Sequence, residues 1–302
     1  MTQVGDGDFT YRVVEDWGTL PTTWTGWRWG WVVGLACDSQ DRVYVYSRSP
    51  HPLILFDREG SFLTTWGDGV LAPNQAHGLY IDGADNVYCT DTTNHCIHKF
   101  NAQGEHVMTL GAPGQPAAND GEPFRMPTDL AVASTGELLI SDGYGNARVH
   151  KYSPTGEWLR SWGERGDGPG QFSISHAVRV DRQDRVWVCD RENNRVQIFD
   201  LEGRFLTEWV GLRRPNTVHF DPDADVVYVA ELAHRVSIFA LDPANLTGEL
   251  VSQWGGQPSE APGYFRGGPH GLWSDSRGDL YMGEVELGEV GRIHKFARVR
   301  SG

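Results

Sequence analysis

The sequence predicts an all-β protein, a six-bladed β-propeller that occupies residues 1–302 as a single domain. The first observation is a unit that recurs six times, at intervals of about 40 to 54 residues. The second is the content of that unit, four short strands separated by turns, which is what a propeller blade requires. The third is composition, because 37 Gly and 16 Pro punctuate short strands along the chain. The repeat therefore overrules the length-based expectation of about two domains.

Each unit begins with an apolar strand, passes through an acidic turn into a second strand, and ends with two further strands near a Trp-Gly pair. The clearest copy is SHAVRVDRQDRVWVCDRENNRVQIFDLEGRFLTEWV, residues 175–210. Aligned at the start of the first strand, the blades, numbered one to six along the chain, place these residues at one equivalent position: Val33, His77, Thr128, His176, Asn216 and His270. Histidine therefore occupies this position in every second blade.

The sixth unit lacks a fourth strand of its own. The segment FTYRVVEDWG, residues 9–18, matches the fourth strands of other copies, such as GEWLRSWG at residues 156–163. We therefore expect the N-terminal strand to complete the last blade. A blade shared by the two ends of the chain closes the ring and leaves no inner sheet edge unpaired.

The histidines at the equivalent position predict a metal site. In a closed ring, side chains at matching positions of alternate blades, here His77, His176 and His270, point inward from three sides. Three imidazoles with a vacant fourth position form a known catalytic zinc arrangement. The residues alone leave iron and manganese open as the native metal. The alternative is that each histidine fills the channel and hydrogen-bonds a backbone group.

The loops between second and third strands should lie on the same face as the histidines. Five of them begin with an acid, which commonly accepts backbone N–H groups and fixes a turn, so a structural role is expected: Asp91, Asp142, Asp190, Glu231 and Glu284. Two loops carry departures, since blade one has Ser47-Arg48 in place of an acid and blade three adds Tyr144. Departures within a repeat are candidates for function. The alternatives are an aromatic lid for Tyr144 and a rim ion pair for Arg48.

The other histidines do not follow the alternate-blade pattern, and none of them is assigned to metal. Three recur in the third strands CIHKF, RVHKY and RIHKF, where we expect a blade-surface position away from the channel: His98, His150 and His294. The cysteines show no CxxC spacing and are expected to be buried free thiols, not zinc ligands or disulfides: Cys37, Cys89, Cys96 and Cys189.

Charge and hydropathy disfavour several partners. A net charge of −14 weighs against nucleic acid, because phosphate binding demands a basic face. No apolar run approaches the ~20 residues of a membrane span. The start, MTQVGDGDFTYRV, has neither the basic nor the apolar region of a secretory signal. We expect a cytoplasmic protein that acts on a small-molecule substrate, and the oligomeric state stays open.

Several motifs carry a resemblance to known families. The repeats resemble NHL repeats, of which GDGPGQFSISHAVRVD with CDRENNRVQIFD is a typical copy. More narrowly, nearly the whole chain resembles the lyase domain of peptide-amidating enzymes, peptidyl-α-hydroxyglycine α-amidating lyase. That family is a six-bladed propeller with zinc on three histidines of alternate blades, which match His77, His176 and His270. Its catalytic Tyr, in a DGY-x-N-x-R loop, and its blade-one Arg match Tyr144 and Arg48.

The resemblance implies a metal-dependent lyase that cleaves the C–N bond of a carbinolamide. Zinc would make the substrate hydroxyl acidic, and Tyr144 would accept its proton as general base while the C–N bond breaks. Arg48 is expected to stabilise the tyrosinate or to clamp a substrate carboxylate. Two alternatives stay open: metal-assisted hydrolysis of another small molecule in the same pocket, and a non-catalytic scaffold that binds protein on an outer face.

Two departures from the family concern the surroundings of the third histidine. The family has an Asp directly after it that helps to hold a structural calcium, with backbone carbonyls that match Leu35 and Leu79, but here Gly271 takes that place. Calcium is therefore doubtful. A family Met two residues before the histidine is Gly268 here, so we expect a roomier or differently shaped pocket.

The linker between the N-terminal strand and blade one is rich in tryptophan. It reads TLPTTWTGWRWGWVVG, residues 19–34, and we expect it to cross the same face as the histidines. Two interpretations are open, a wall for an aromatic or apolar substrate and simple packing of the linker over the ring. The side chains concerned are Trp24, Trp27, Trp29 and Trp31.

Overall fold

The computed structural model describes residues 2–117, 123–285 and 291–300, and these form an all-β, six-bladed propeller. Six sheets of four or five strands correspond to the six repeats, which confirms the predicted fold class. Within the described residues the only helical segments are two 3₁₀ turns, Gly7–Phe9 and Arg191–Asn193. Among the residues searched, none belongs to a helix that could cross a bilayer.

The chain divides into two compact units, which are described separately. The first comprises the residues up to Asn74 and those from His219 onward, and the second comprises Gln75–Val218. Blades two, three and four lie in the second unit. Blades one and six lie in the first, as does blade five apart from the start of its first strand. The single domain over residues 1–302 stays a prediction.

In the second unit each blade has its strands in chain order across the sheet. Blade two consists of Ala76–Ile81, Val87–Asp91, Cys96–Phe100 and His106–Gly111. Blade three consists of Asp129–Val132, Leu138–Asp142, Arg148–Tyr152 and Trp158–Trp162. Blade four consists of Ser175–Val180, Val186–Asp190, Arg195–Phe199 and Phe205–Val210. A short parallel pair, Glu164–Arg165 with Gln171–Phe172, precedes blade four.

The first unit repeats the pattern with one modification in its last blade. Blade one consists of Val32–Cys37, Val43–Ser47, Leu53–Phe56 and Phe62–Trp66. Blade five consists of Pro215–Phe220, Val226–Glu231, Arg235–Asp242 and Thr247–Gly255. Blade six consists of Gly268–Ser274, Leu280–Val285 and Gly291–Arg298, followed in the sheet by the N-terminal strands Tyr11–Val14 and Gln3–Val4.

The N-terminal strand completes blade six, as predicted. Tyr11 pairs with Arg298 and Val14 pairs with Lys295 in an antiparallel ladder. The strand is shorter than the expected residues 9–18, because a 3₁₀ turn precedes it and Asp16 adopts a positive φ of 55° after it. A fifth strand, Gln3–Val4, pairs with the same segment and was not predicted.

A buried Asp fixes the turn after the first strand in most blades. In blade four, Asp181 Oδ1 accepts the backbone N–H groups of Gln183 at 3.0 Å and Arg185 at 2.9 Å. The indole N–H of Trp187, on the second strand, donates to the other carboxylate oxygen at 2.9 Å. Asp275 has the same kind of partners in blade six. The acid therefore holds both the turn and the returning strand.

The hydrophobic core lies between neighbouring sheets of each unit. In the second unit one cluster joins blades three and four, and it includes Leu139, Val149, Phe172, Val188 and Phe199. In the first unit one cluster joins blades five and six, and it includes Tyr11, Tyr228, Trp254, Phe265 and Phe296. Burial of each such side chain stabilises the fold by about 1.5–3 kcal/mol. This packing fixes the first strands, on which the histidines stand.

Candidate functional site

His77 and His176 occupy matching places in the second unit. Each is the second residue of its blade's first strand, and their exposed fractions are 2% and 1%. Their ring centroids are 4.8 Å apart, and a ligand nitrogen of one lies within 4.8 Å of a ligand nitrogen of the other. The structure therefore brings these two predicted ligands together.

Both imidazoles are held in one tautomer by backbone carbonyls. Nδ1 of His77 is 2.7 Å from the carbonyl oxygen of Thr128, and Nδ1 of His176 is 2.8 Å from that of Asn216. A carbonyl oxygen only accepts, so each Nδ1 carries the proton and each Nε2 carries the lone pair. This is the outer-sphere arrangement that orients metal-binding histidines.

His270 repeats this arrangement in the first unit. It lies in the first strand of blade six and is 7% exposed. Its Nδ1 is 2.7 Å from the carbonyl oxygen of Val33. In all three cases the acceptor is the residue at the equivalent position of the following blade. The hydrogen bond to a backbone group that the alternative interpretation expects is thus present. It engages Nδ1 and leaves Nε2, which carries the lone pair, as the nitrogen suited to a metal.

Tyr144 lies beside the histidine pair. Its hydroxyl is 2.9 Å from Nε2 of His77, and its ring centroid is 5.8 Å from that of His176. Because Nε2 of His77 carries the lone pair, the phenol donates this hydrogen bond.

The loop that carries Tyr144 depends on the glycines on either side of it. A Cβ at Gly143 would lie 2.1 Å from the carbonyl oxygen of Ser175, and one at Gly145 would lie 1.9 Å from that of Arg125. Only glycine permits these close approaches, which hold the loop against the neighbouring strands.

Arg191 is a further candidate residue, and no role was predicted for it from the sequence. Its guanidinium carbon is 5.7 Å from the centre of the Tyr144 ring, and its Nη1 is 3.5 Å from the phenolic oxygen. The side chain is largely buried, and Glu192 accepts from its Nε at 2.9 Å. A signal was available, because Asp190-Arg191 stands in its blade where Ser47-Arg48 stands in blade one.

Arg48 lies in the first unit, directly after the second strand of blade one, as predicted. Its guanidinium carbon is 4.6 Å from the centre of the Trp31 ring, within cation–π range. Its backbone N–H donates to the carbonyl oxygen of Trp31 at 2.9 Å. The linker therefore positions Arg48, and its expected role toward tyrosinate or carboxylate stays a prediction.

The structure supports the packing interpretation for three tryptophans of the linker, and a substrate wall stays a prediction. Trp24, Trp27 and Trp29 pack against the core cluster that joins blades six and one. His51 stacks on Trp24 with ring centroids 4.5 Å apart. These three side chains therefore serve packing. Trp31 is different, because its ring faces the Arg48 guanidinium.

Three of the acids at the ends of the second strands have the expected structural role. Asp142 accepts the backbone N–H of Arg125 at 2.8 Å. Asp190 accepts the N–H of Ser173 at 2.9 Å, and Glu284 accepts that of Gly267. In each case the donor lies three residues before the equivalent position of its blade. The acids therefore anchor the segments that lead into the first strands.

The expected surface position of the third-strand histidines is wrong. His98 is 5% exposed and His150 is completely buried. Nε2 of His150 lies 3.3 Å from a carboxylate oxygen of Asp142, and Nε2 of His294 lies 2.7 Å from one of Glu284. The third strand is paired with the second strand in the sheet. Its histidine therefore lies beside the buried acid that ends the second strand. All four cysteines are buried free thiols, as predicted.

The residue after His270 has little room for a side chain. A Cβ at Gly271 would lie 2.9 Å from Cα of Gly34 and 2.9 Å from the carbonyl oxygen of Val33. An Asp side chain therefore does not fit here unless the first strand of blade one moves. The doubt about calcium at this place stays a prediction.

Gly268 does not open the space beside His270. A Cβ there would lie 2.2 Å from Cδ1 of Leu232, whose side chain fills the region next to the glycine. Of the two forms of that expectation, a roomier pocket has no support at this point, and a differently shaped one stays a prediction. An aliphatic side chain of blade five occupies the region on this side of the glycine.

The comparisons with known proteins agree with the repeat. The family model described as NHL repeat matches residues 124–152 and 176–199. NHL repeat-containing protein 3 of Homo sapiens is 33% identical over 257 residues, which cover 79% of this chain and 72% of the relative. The Mus musculus protein of the same name is 35% identical over 226 residues, and the match spans 68% of this chain and 64% of that relative.

Amidating enzymes are similar over shorter stretches. Peptidylglycine alpha-amidating monooxygenase of Rattus norvegicus is 34% identical over 230 residues, 65% of this chain and 23% of the relative. Peptidyl-alpha-hydroxyglycine alpha-amidating lyase 1 of Drosophila melanogaster is 39% identical over 146 residues, 44% of this chain and 27% of the relative.

Solved structures match the fold at low sequence identity. A streptogramin B lyase superposes with a TM-score of 0.62 and 13% identity, covering 97% of this chain and 88% of that chain. A gluconolactonase of Xanthomonas campestris superposes with a TM-score of 0.65 and 13% identity, covering 96% and 90%. These likenesses show the propeller fold alone.

Proposed function

The chain belongs to the family of NHL repeat-containing protein 3 and is homologous to peptidyl-α-hydroxyglycine α-amidating lyases, and from this premise we propose that it is a metal-dependent lyase. Its substrate would be a carbinolamide, a small molecule in which one carbon bears both a hydroxyl and an amide nitrogen. The observation that carries the proposal is the hydrogen bond between Tyr144 and the tautomer-fixed His77, beside His176.

The metal of this proposal would be held by His77, His176 and His270. The donor set fits zinc, because each imidazole has its Nδ1 engaged by a carbonyl and its Nε2 suited to a metal. Iron and manganese remain alternatives, since imidazole nitrogen binds all three. When bound, the ion supplies a Lewis acid that makes a substrate hydroxyl more acidic.

Tyr144 would act as the general base and then as the acid. Its phenolate oxygen accepts the hydroxyl proton, the C–O bond of the substrate becomes a carbonyl, and the electron pair of the C–N bond leaves with nitrogen. The proton then passes from Tyr144 to that nitrogen. The products are an amide and an aldehyde, so atoms and charge balance.

Two arginines would assist in this scheme. The guanidinium of Arg191 lies beside the phenol, where it favours negative charge on the oxygen. Arg48 would clamp a substrate carboxylate, a group that guanidinium recognises with two parallel hydrogen bonds. The carboxylate of an N-acyl-α-hydroxyglycine meets this requirement.

The second candidate function is a non-catalytic propeller that binds another protein. It is favoured by the relatives that are named for their repeat alone and cover more of the chain than the amidating enzymes do. A scaffold needs neither an acidic hydroxyl nor a base, so activity separates the two candidates. Metal-assisted hydrolysis of another small molecule in the same site is a variant of the first.

The test uses an N-acyl-α-hydroxyglycine and the purified protein. We expect glyoxylate release that stops after metal removal with a chelator and returns with added zinc. Full zinc occupancy without glyoxylate release would contradict the carbinolamide lyase. Absence of metal at the histidines, together with inactivity, would favour the scaffold.

The proposal includes a cytoplasmic location. It is supported by the four cysteines, which are all buried free thiols and thus fit a reducing compartment. Fractionation of cells that express the tagged native chain tests it, and recovery from the secreted fraction would contradict it.

A further inference from the structure

Blade two differs from the other blades at the buried acid that ends its second strand. In blades three to six the residue paired with this acid in the sheet is an arginine: Arg148, Arg195, Arg235 and Arg292. Blade two keeps the acid, Asp91, but its sheet partner is Cys96. Blade one lacks the acid, because Ser47 stands at its position. Blade two alone thus combines the acid with a thiol.

In two of these blades the arginine forms an ion pair with the acid. In blade four Arg195 Nε donates to Asp190 at 2.8 Å, and in blade five Arg235 pairs with Glu231. These acids are completely buried, and a buried carboxylate requires compensating charge or hydrogen bonds. In blade two Cys96 takes the sheet position of the arginine, and Asp91 accepts hydrogen bonds from the backbone N–H of Asn94 at 3.2 Å and from its side-chain amide at 3.0 Å.

The side chains around Asp91 form a set of metal-binding groups. Asp91, Cys96 and His98 are buried, and their ligand atoms lie within 4.8 Å of one another. Sγ of Cys96 is 3.4 Å from Nε2 of His98. Zinc bond lengths imply about 3.6 Å between sulfur and nitrogen in a tetrahedral site. The separation of Cys96 Sγ and His98 Nε2 is therefore already suited to a shared zinc ion.

The next shell orients the histidine. Nδ1 of His98 lies 3.2 Å from Oγ1 of Thr109 and 3.3 Å from Nε2 of His106, both on the fourth strand. These partners direct Nε2 of His98 toward Cys96. His106 is exposed, so the cluster lies one side chain below the surface.

We propose that Asp91, Cys96 and His98 form a second metal site, for a thiolate-binding divalent ion such as Zn²⁺, independent of the histidine trio. Binding releases the thiol proton to solvent, and the resulting carboxylate and thiolate together balance the two positive charges. The ion thereby takes the place that arginine holds in blades four and five. The fourth coordination position is left for water.

Cobalt substitution distinguishes this site from the trio. Cobalt bound to a thiolate gives a near-ultraviolet charge-transfer band, which an all-histidine site does not. We expect the native chain, stripped of metal and titrated with Co²⁺, to show this band. It should persist in the double variant H77A/H176A, so its presence does not depend on the proposed function.

Two variants remove the site with residues that the repeat already tolerates. C96R introduces the arginine of four other blades, and H98Q introduces the residue of blade four, Gln197. Each should lose the band and one equivalent of bound Co²⁺, while glyoxylate release is unchanged. C189S, which alters another buried thiol, is the control and should keep the band.

The proposal is overturned if native protein binds Co²⁺ without the charge-transfer band, or if the band survives in C96R or H98Q. Circular dichroism of each variant shows whether it is folded. If one variant does not fold, the other still tests the assignment. A band with no lyase activity would refute the proposed function and leave this site intact.

Discussion

The phenolic oxygen of Tyr144 lies 2.9 Å from Nε2 of His77. Because Nδ1 of His77 donates to the Thr128 carbonyl, the phenol is the donor in this hydrogen bond. A ligand that takes the lone pair of Nε2 removes this acceptor, and the phenol must then release its proton to solvent before its oxygen can accept the proton of a substrate hydroxyl. One hydrogen bond thus connects occupation of the histidines with availability of the base.

The first prediction concerns the phenolic hydroxyl. We expect Y144F to lower kcat for an N-acyl-α-hydroxyglycine by about 10²–10⁴-fold, the usual worth of a general base. KM and zinc content should change little, because the metal and carboxylate contacts do not use the hydroxyl. Y264F is the control, since Tyr264 is also partly buried but packs on the core of the first unit. An equal loss in both variants would refute the assignment.

The second prediction concerns Arg191. R191Q should lower kcat by about 10- to 100-fold, because a hydrogen bond to a charged group is worth about 1.5–3 kcal/mol. R191K should recover part of the loss, since it restores the charge without the planar fork. Steady-state kinetics of the zinc-loaded proteins measures this, with the exposed Arg213 as control in R213Q. Unchanged kcat in R191Q would show that the guanidinium does not act on the phenol.

The histidine positions could be predicted because the repeat allows one chain to be compared with itself. His77, His176 and His270 do stand at one strand position, and each finds its acceptor at that position of the next blade. Arg191 was missed for a related reason. Its neighbour Asp190 follows the repeat and has the expected structural role, whereas the proximity of Arg191 to Tyr144 depends on loop geometry that spacing does not give.

The third-strand histidines show where strand alternation fails. Alternation of polar and apolar residues predicts that one face of a strand is exposed. In these third strands both faces are covered, by neighbouring blades or by the acid of the second strand. His150 is therefore as buried as the apolar residues around it. The contact of Leu232 with Gly268 could not be predicted for a similar reason, because Leu232 lies 36 residues before it in the sequence.

The third prediction tests the close approach at Gly271. We expect G271A to reduce the free energy of unfolding by about 1–3 kcal/mol, because the added Cβ overpacks against the first strand of blade one. Urea unfolding measures this. G83A is the control, since nothing lies within 4 Å of a Cβ at Gly83. G271D should be less stable still, and added calcium should not raise its Tm. Recovery by calcium would contradict the poor fit of that ion.

The fourth prediction concerns pH. Burial alone would raise the pKa of Glu284, but the hydrogen bonds from His294 and from the Gly267 N–H outweigh it and hold the pKa below its ordinary 4.5. Between the folded and unfolded values the unfolded chain binds more protons, so this stabilisation is complete above about pH 5 and is lost as the pH falls. Thermal melts from pH 7 to pH 3 should therefore show a Tm deficit in E284Q that narrows toward acid. E249Q, at an exposed glutamate of blade five, should match the native chain throughout. A deficit in E284Q that stays constant with pH would mean that Glu284 stabilises the blade by packing and not through its charge.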